Sequence, residues 1–537
     1  MRRRSFLGLA GGLSAAAVGL TPLAGCSSRP PALDATGPPV AGPTYRARTD
    51  LPKPVIAGTA DGTIPSTYLR YPERPVTTVA GTPGDGRPVS ILTQTFSPIP
   101  PAVQDNPVWS NLNAALGSPL QIQIVPQADY KIKFATVVAG DSLPDLFFAS
   151  PDFPRMPELM AARAVDLSDH LSGRAVLDYP NLANLPTACW DVGRFNGRLY
   201  GLPSPRGAMQ SGILLRRDDL LARRGITGEL SDFSDLAGIC AEVNDPRAGV
   251  WALAAVPLQF IRNMLSIPNF WRFDGTTMQS WWTAPEQEQA LEAGRKLFAD
   301  GLVNPDAFAA PNKKTWFSTG KAYFTDDAFA SWPQYYAGVE DEGFAMSGCT
   351  IPAFDGGGSG KLWLSFPSYG FAAVGQHAAD RVETLLKIAD YLAAPFGSAE
   401  YLTVRYGRDG GDYELTDGNP APIGTTGAAS QLGVKYVTDA PIVNFVPGRP
   451  EAARQLDALL RRLVPDALAN DAVYLYSRTV ADRFAGSQTR FSSLENDILQ
   501  GRRPVSDWRA EADSWQSRYG AQMSAELTEA YHAAGRG

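Results

Sequence analysis

The chain reads as an α/β protein built from two lobes that face one cleft. Three observations predict this. From Val89 onward, segments rich in β-branched residues alternate with amphipathic helical segments. A second alternation of similar size begins after "YGLPSPRG". The stretches that join the two contain Gly and Pro, as crossings between lobes do. A length of 537 residues leaves room for two or three domains.

The elements follow in order. Arg2, Arg3 and Arg4 lead into an uncharged run from Leu7 to Leu20, which ends in "LAGCSS". A positive head, a short apolar middle and a small-residue exit predict an export signal over residues 1–25, too short and glycine-rich for a membrane span. Arg3-Arg4 before Ser-Phe-Leu is also the arrangement of a twin-arginine address, although a general secretory signal can open the same way. Leu-Ala-Gly-Cys resembles a bacterial lipobox, which implies lipid on Cys26 and a mature protein anchored to the outer face of the cell membrane. At roughly 0.8 kcal/mol per buried CH₂, two or three acyl chains hold a protein there. Residues 26–88 hold 12 of the 44 prolines with little periodicity, so they are expected to form a tether. Its second half, with Tyr68, Leu69 and Tyr71, has side chains able to dock on the body.

"VSILTQ", "LQIQIV" and "PDLFFA" predict strands. "VWSNLNAALG" places Trp109, Leu112 and Leu116 on one helical face before a glycine stop, and "YKIKFATVVAG" does the same with Tyr130, Phe134 and Val137. Strand, helix, strand, helix, strand implies a parallel sheet whose strand C-terminal ends open into a crevice. After the crossing, "GILLRRDDL" reads as a strand entering a helix, "DFSDLAGICAEV" as a helix and "VWALAAV" as a strand. "APEQEQALEAGRKLFADG" reads as a helix bounded by Pro285 and Gly301. "KAYFTDD" and "LWLSFPSYGFAAV" restore strand character. In "RVETLLKIADYLAAPFG", Val382, Leu385, Leu386, Ala389 and Leu392 form one apolar stripe.

Composition narrows the chemistry. A net charge of -7 argues against a general nucleic-acid binder. Cys189, Cys240 and Cys349 are the cysteines beyond Cys26; they allow one disulfide at most, and export of an already folded chain favours three reduced, buried thiols. "GGGSGKLW" fails as a phosphate loop, because Asp355 stands where the first glycine is needed and Leu362 where Ser or Thr is needed; Lys361 breaks G-x-S-x-G. His170, His377 and His532 have no metal-ligand spacing, so no histidine-rich metal site is expected; no cofactor is expected either. A glycosidase using two carboxylates stays open, with Asp326-Asp327 and Glu340-Asp341-Glu342 as candidates. "GRDGGDYELTDG" departs from Ca²⁺-loop spacing and reads as a glycine-rich turn. Eight of the 11 tryptophans fall between Trp190 and Trp363, several bordering strand ends or loops (Trp251, Trp271, Trp281, Trp282, Trp332), and a flat indole suits the C–H face of a sugar ring.

Several stretches, taken in order, carry a resemblance. They are "GDSLPDLFFAS", "VDLSDHL", "FNGRLYGLPSPRG", "GILLRRDDLLARRGI", "FADGLVNPDAF", "FSTGKAYF", "LLKIADYLAAPFGSAEYLTVRYG" and the ending from "ILQGRRPVSDWRAEADSW". From Val89 to its end the chain resembles the lipid-anchored extracellular solute-binding proteins of bacterial ABC importers, of the carbohydrate type (family 1). The resemblance implies a two-lobe periplasmic-binding-protein-like (type II) fold with discontinuous lobes, a hinge and a central ligand cleft. One lobe would comprise 89–205 with about 362–410, and the other 206–361 with part of 411–537 and the C-terminal helices. It implies a monomer that captures a sugar or oligosaccharide by closure, without chemistry, and delivers it to the transmembrane subunits of a permease. Carried over by motif, the site comprises Gln94 and Phe96 after "ILTQTF", Asp145 at the rim, and Ser204 and Arg206 near the crossing. Asp326, Asp327, Phe329 and Trp332 follow "GKAYF", with Trp363 and Tyr369 on the opposite lobe. Trp251 and Trp271 join this set from the placement of aromatic residues. A secreted glycoside hydrolase or lyase is the alternative.

Overall fold

The computed structural model describes residues 39–309, 312–337 and 343–536. The leader, Cys26 and the acidic run Glu340-Asp341-Glu342 lie outside them.

One lobe is organised by a five-stranded sheet. Val89–Thr95 lies parallel to Leu120–Pro126 on one side and to Leu146–Ala149 on the other. Ser368–Val374 pairs antiparallel with Leu146–Ala149, and Gly201–Pro205 pairs antiparallel with it at the edge. Leu146–Ala149 is buried along its whole length, as a central strand covered on both faces must be, whereas the edge strand Leu120–Pro126 alternates. One face packs Trp109, Leu112 and Leu116 of the helix Pro107–Leu116 together with Leu385, Leu386 and Ala389 of Val382–Leu392; the other packs Tyr130, Phe134 and Val137 of Gln127–Ala139. Pro107–Leu116 starts where the Asn106 side chain accepts from the Trp109 N–H and stops at Gly117, whose φ of 69° is left-handed.

The second lobe carries a four-stranded sheet in the order Met346–Gly348, Gly212–Arg217, Ala322–Ala328, Trp251–Leu253. Its core continues into the C-terminal helices Arg478–Leu499, Ser506–Trp515 and Ala521–Ala533. Trp282 is held there face to face with Phe491, at 4.3 Å between centroids, and with Phe484 at 5.2 Å.

Strand direction locates the cleft. Gly201–Pro205 runs out of the first lobe through 206–211 into Gly212–Arg217, so the C-terminal ends of its parallel neighbours point toward the crossing. Ala322–Ala328, antiparallel to Gly212–Arg217, likewise returns to it. Both sets of strand ends border the space between the lobes.

Two boundaries differ from the expectation. Leu432, Val434, Tyr436 and Val437 belong to the core of the first lobe, so its second block runs on to about residue 437, and the second lobe resumes with Pro450–Leu463. Residues 39–88 are not a free tether but a docked strap. Val40 and Arg46 donate backbone bonds to Gly197 and Ala183 in the first lobe, and the Glu400 carboxylate accepts from the Thr78 and Val79 N–H groups. Between these anchors Thr63 accepts from the Ala208 N–H, Ser66–Tyr68 pairs parallel with Val443–Phe445, and Thr67 bonds Asp457 of Pro450–Leu463. A proline-rich composition forecloses a core of its own; it does not prevent the segment from adding Tyr71 to a cluster with Phe396 and Phe445.

Cys189, Cys240 and Cys349 are free and buried. Burial pushes the Cys189 and Cys349 thiols up to about 12, and raises that of Cys240 as well. The native protein is therefore expected to leave these three thiols unmodified by a thiolate-selective reagent at pH 8, and to react at all three once unfolded in denaturant.

Candidate functional site

The strand ends of the first lobe build an aromatic floor. Phe96, the first residue after Val89–Thr95, is 63% exposed and presents its edge to Tyr369 at 6.0 Å. Tyr369 lies parallel to Phe148 at 5.9 Å and tilted against Tyr436 at 5.6 Å. Tyr436 reaches this place because Gly433, at φ 72°, lies so close to the strand that a Cβ would sit 2.7 Å from Thr93 and 2.8 Å from the Gln94 carbonyl oxygen. Gln94 is buried beside the Tyr369 hydroxyl, although its amide nitrogen completes no hydrogen bond.

Charge gathers at one side of this floor. The Arg206 guanidinium stands 5.7 Å from the Tyr436 ring centre and donates to Asp439 Oδ2 at 2.9 Å; Arg405, from the helix Ala399–Tyr406, takes the other carboxylate oxygen. Lys435 Nζ lies 5.4 Å from the same ring. Burial, then the neighbouring Arg206 and Arg405, lower the Lys435 ammonium to about 8. Burial raises the phenols of Tyr369 and Tyr436, so both stay neutral hydrogen-bond donors at physiological pH.

The crossing and the second lobe together form a smaller recess of about 160 Å³, where Gln210 and Gln259 stand among Phe270, Trp363 and Phe366, and Asn269 donates to the Leu364 and Leu468 carbonyls. Amide groups beside ring faces suit a ligand with both hydroxyls and C–H surface. A larger cavity, about 1070 Å³, lies under the strap against the crossings, lined by Tyr45, Arg48 and Tyr68 on one side and Cys189, Arg206 and Phe366 on the other. Arg206 thus borders both this cavity and the aromatic floor, and Phe366 borders both cavities.

Of the residues expected from sequence, Gln94, Phe96, Arg206 and Tyr369 come together on the floor. Ser204 sits just behind it, fully buried, its N–H on the Ser368 hydroxyl. Trp363 is not on the opposite lobe from Asp326; it belongs to the second-lobe core, donating to the Ile267 carbonyl at 2.7 Å while its face lines the recess. Asp145 lies outside the cleft, because it precedes a strand that starts at the far end of the sheet. Its carboxylate accepts from the Ser90 N–H and hydroxyl, both at 2.8 Å, with His377 at 3.2 Å. Trp251 pairs with Ala322 at the far end of the second sheet, and Trp271 is buried against Trp515. Phe329 and Trp332 border the crossing but are fully buried, so neither offers a ring face to the cleft.

The two candidate carboxylates of the second lobe both hold partners, although Asp326 Oδ1 has none. Asp327 accepts from the Ser331 and Tyr335 hydroxyls, both at 2.9 Å, and Asp326 pairs with Lys313 at 2.9 Å. Being adjacent on one strand, they project to opposite faces and cannot flank one glycosidic bond. Lys435, Tyr436 and Asp439 carry no motif in the sequence that marks them as site residues, because their partners Phe96, Arg206 and Arg405 are distant along the chain. Their one local signal is the aromatic and charged run "GVKYVTDAP" after a glycine.

No family model and no curated protein sequence matches the chain. Solved structures do. The alginate-binding protein AlgQ2 superposes with a TM-score of 0.61 at 14% identity, over 85% of this chain and 100% of that one. FusA, an ABC-transporter substrate-binding protein of Streptococcus pneumoniae in complex with kestose, gives 0.59 at 15% identity over 83% and 99%. NgtS of Streptococcus pneumoniae, an N-glycan transport solute-binding protein in complex with Man1GlcNAc, gives 0.58 at 14% over 83% and 98%. The chain therefore has the periplasmic-binding-protein-like fold of the ABC-transporter solute-binding proteins, two α/β lobes joined by crossings around a cleft.

Proposed function

We propose that this chain captures a carbohydrate between its lobes, without altering it, and presents it to a membrane permease. The carrying observation is the aromatic floor at the strand ends, where exposed Phe96 and half-buried Tyr369 rest against buried Tyr436, together with the recess at the crossing that holds Gln210 and Gln259. Rings take the C–H faces of a sugar and amides take its hydroxyls. The neighbours named for alginate, kestose and a mannose-containing glycan support the same class of ligand. Rotation about the crossings would bring the floor and the recess onto one guest, and the closed form is the one a permease would engage. The leader and Cys26 lie outside the described residues; on sequence grounds the mature protein is exported and held by lipid on Cys26, working as a monomer.

Capture is favoured over hydrolysis because Asp326 and Asp327 are committed to Lys313, Ser331 and Tyr335. Native mass spectrometry of freshly isolated protein is expected to show a retained saccharide, and chromatography after hours of incubation is expected to return it intact. Accumulating product, abolished by Asp327→Asn, would instead establish a glycosidase or lyase.

A further inference from the structure

We propose that the saccharide this cleft is built for carries an anionic group, a carboxylate as in a uronic acid or a sulfate or phosphate ester, seated beside Lys435 and Arg206 at the edge of the aromatic floor. This rests on the capture reading above and names the ligand class within it. Three cations, Arg206, Arg405 and Lys435, converge here on a single carboxylate, Asp439. Asp439 is nearly fully buried and spends both oxygens on the two arginines. Lys435 is left over: among the described residues its ammonium makes neither an ion pair nor a hydrogen bond, and it stands 5.4 Å from the Tyr436 ring with Arg206, Arg405 and Asp439 around it. Asp152, the acid that acts on the adjoining Tyr369, is taken up by Lys131 at 3.4 Å and by the Ser150 hydroxyl.

The surplus is local. The chain as a whole carries a net charge of -7, so two uncompensated positive charges at a cleft edge do not reflect a generally basic protein. A half-buried lysine without a partner is unfavourable in the empty protein. An anion arriving beside it removes that penalty, which makes the interaction stronger in the complex than in water. A neutral sugar offers the ammonium a hydroxyl acceptor but no opposite charge. The position also fits: Lys435 and Arg206 both lie beside buried Tyr436, whose ring adjoins the exposed Phe96, so the cations stand next to the ring a sugar would lie on.

The groups facing Lys435 fix the pH behaviour. Arg206, Arg405 and Asp439 surround it, and Tyr436 is held neutral by burial. Only the ammonium, lowered to about 8, changes state in the accessible alkaline range. Anion affinity is therefore expected to fall as pH rises past about 8, with a proton taken up on binding.

The test uses the purified mature chain with uronic-acid oligosaccharides, their carboxyl-reduced neutral counterparts, and sulfated and phosphorylated sugars, by thermal shift and calorimetry. The expected result is that an acidic member binds at least about tenfold more tightly than its neutral counterpart. That preference should weaken above pH 8 and at high salt, collapse in Lys435→Gln and survive in Lys435→Arg. The strongest acidic class separates carboxylate from sulfate and phosphate. If neutral sugars bind as well as acidic ones, or Lys435→Gln keeps the preference, the inference fails while carbohydrate capture stands. If no sugar of either kind binds, both fall.

Discussion

Replacing Asp439 with alanine is expected to lower the stability of the folded chain by about 3–5 kcal/mol, read as a drop in the urea midpoint. The carboxylate is 4% exposed and joins Arg206, in the first crossing, to Arg405, in the helix Ala399–Tyr406. Its removal leaves two guanidinium groups facing each other with Lys435 beside them, in a place where water cannot fully replace the lost anion. Asp439→Asn keeps an acceptor oxygen without the charge and should fall between wild type and alanine. A midpoint unchanged within error in both variants would mean that the arginines find other partners, and the tie between crossing and lobe would lose its energetic basis.

The second large effect concerns ligand and not stability. Phe96→Ala removes the exposed edge of the aromatic floor and should weaken saccharide binding by about 1–3 kcal/mol, or about 5- to 150-fold. Because the ring is 63% exposed and touches its neighbours only at 6.0 and 6.3 Å, the folding free energy should stay within about 0.5 kcal/mol of wild type. The two readouts separate a binding residue from a packing one. Loss of stability with unchanged affinity would return Phe96 to the role of a rim residue.

Much of the fold was legible because each element carries its own local pattern. The stripe Tyr130, Phe134, Val137 became a buried helix face, and Asn106 and Gly117 bracket their helix as cap chemistry requires. "GILLRRDDL" became the strand Gly212–Arg217 followed by the helix Asp218–Ala222. In "LWLSFPSYGFAAV" the strand starts only at Ser368, since Leu364 to Pro367 are used for the crossing between lobes. The strap was half legible: Tyr71 signalled a docking face, whereas the Glu400 carboxylate that holds Thr78 and Val79 is 322 and 321 residues away.

The site was less legible, and for one reason. Tryptophan placement suggested indole platforms, but Trp282 and Trp332 are among the most buried side chains of the second lobe, because the largest apolar rings are the ones a large core takes up first. The rings left at the strand ends are Phe and Tyr. Tyr436 meets Phe96 and Tyr369 only after the first lobe has been completed by a chain segment that returns from the second, a contact that no local periodicity encodes.

Lobe closure is the central step of capture, and small-angle X-ray scattering of the mature protein measures it most directly, with and without a saccharide identified by mass spectrometry. A smaller radius of gyration at saturation, reversed when the sugar is dialysed away, is the predicted result. An unchanged radius in a fully liganded sample would contradict it.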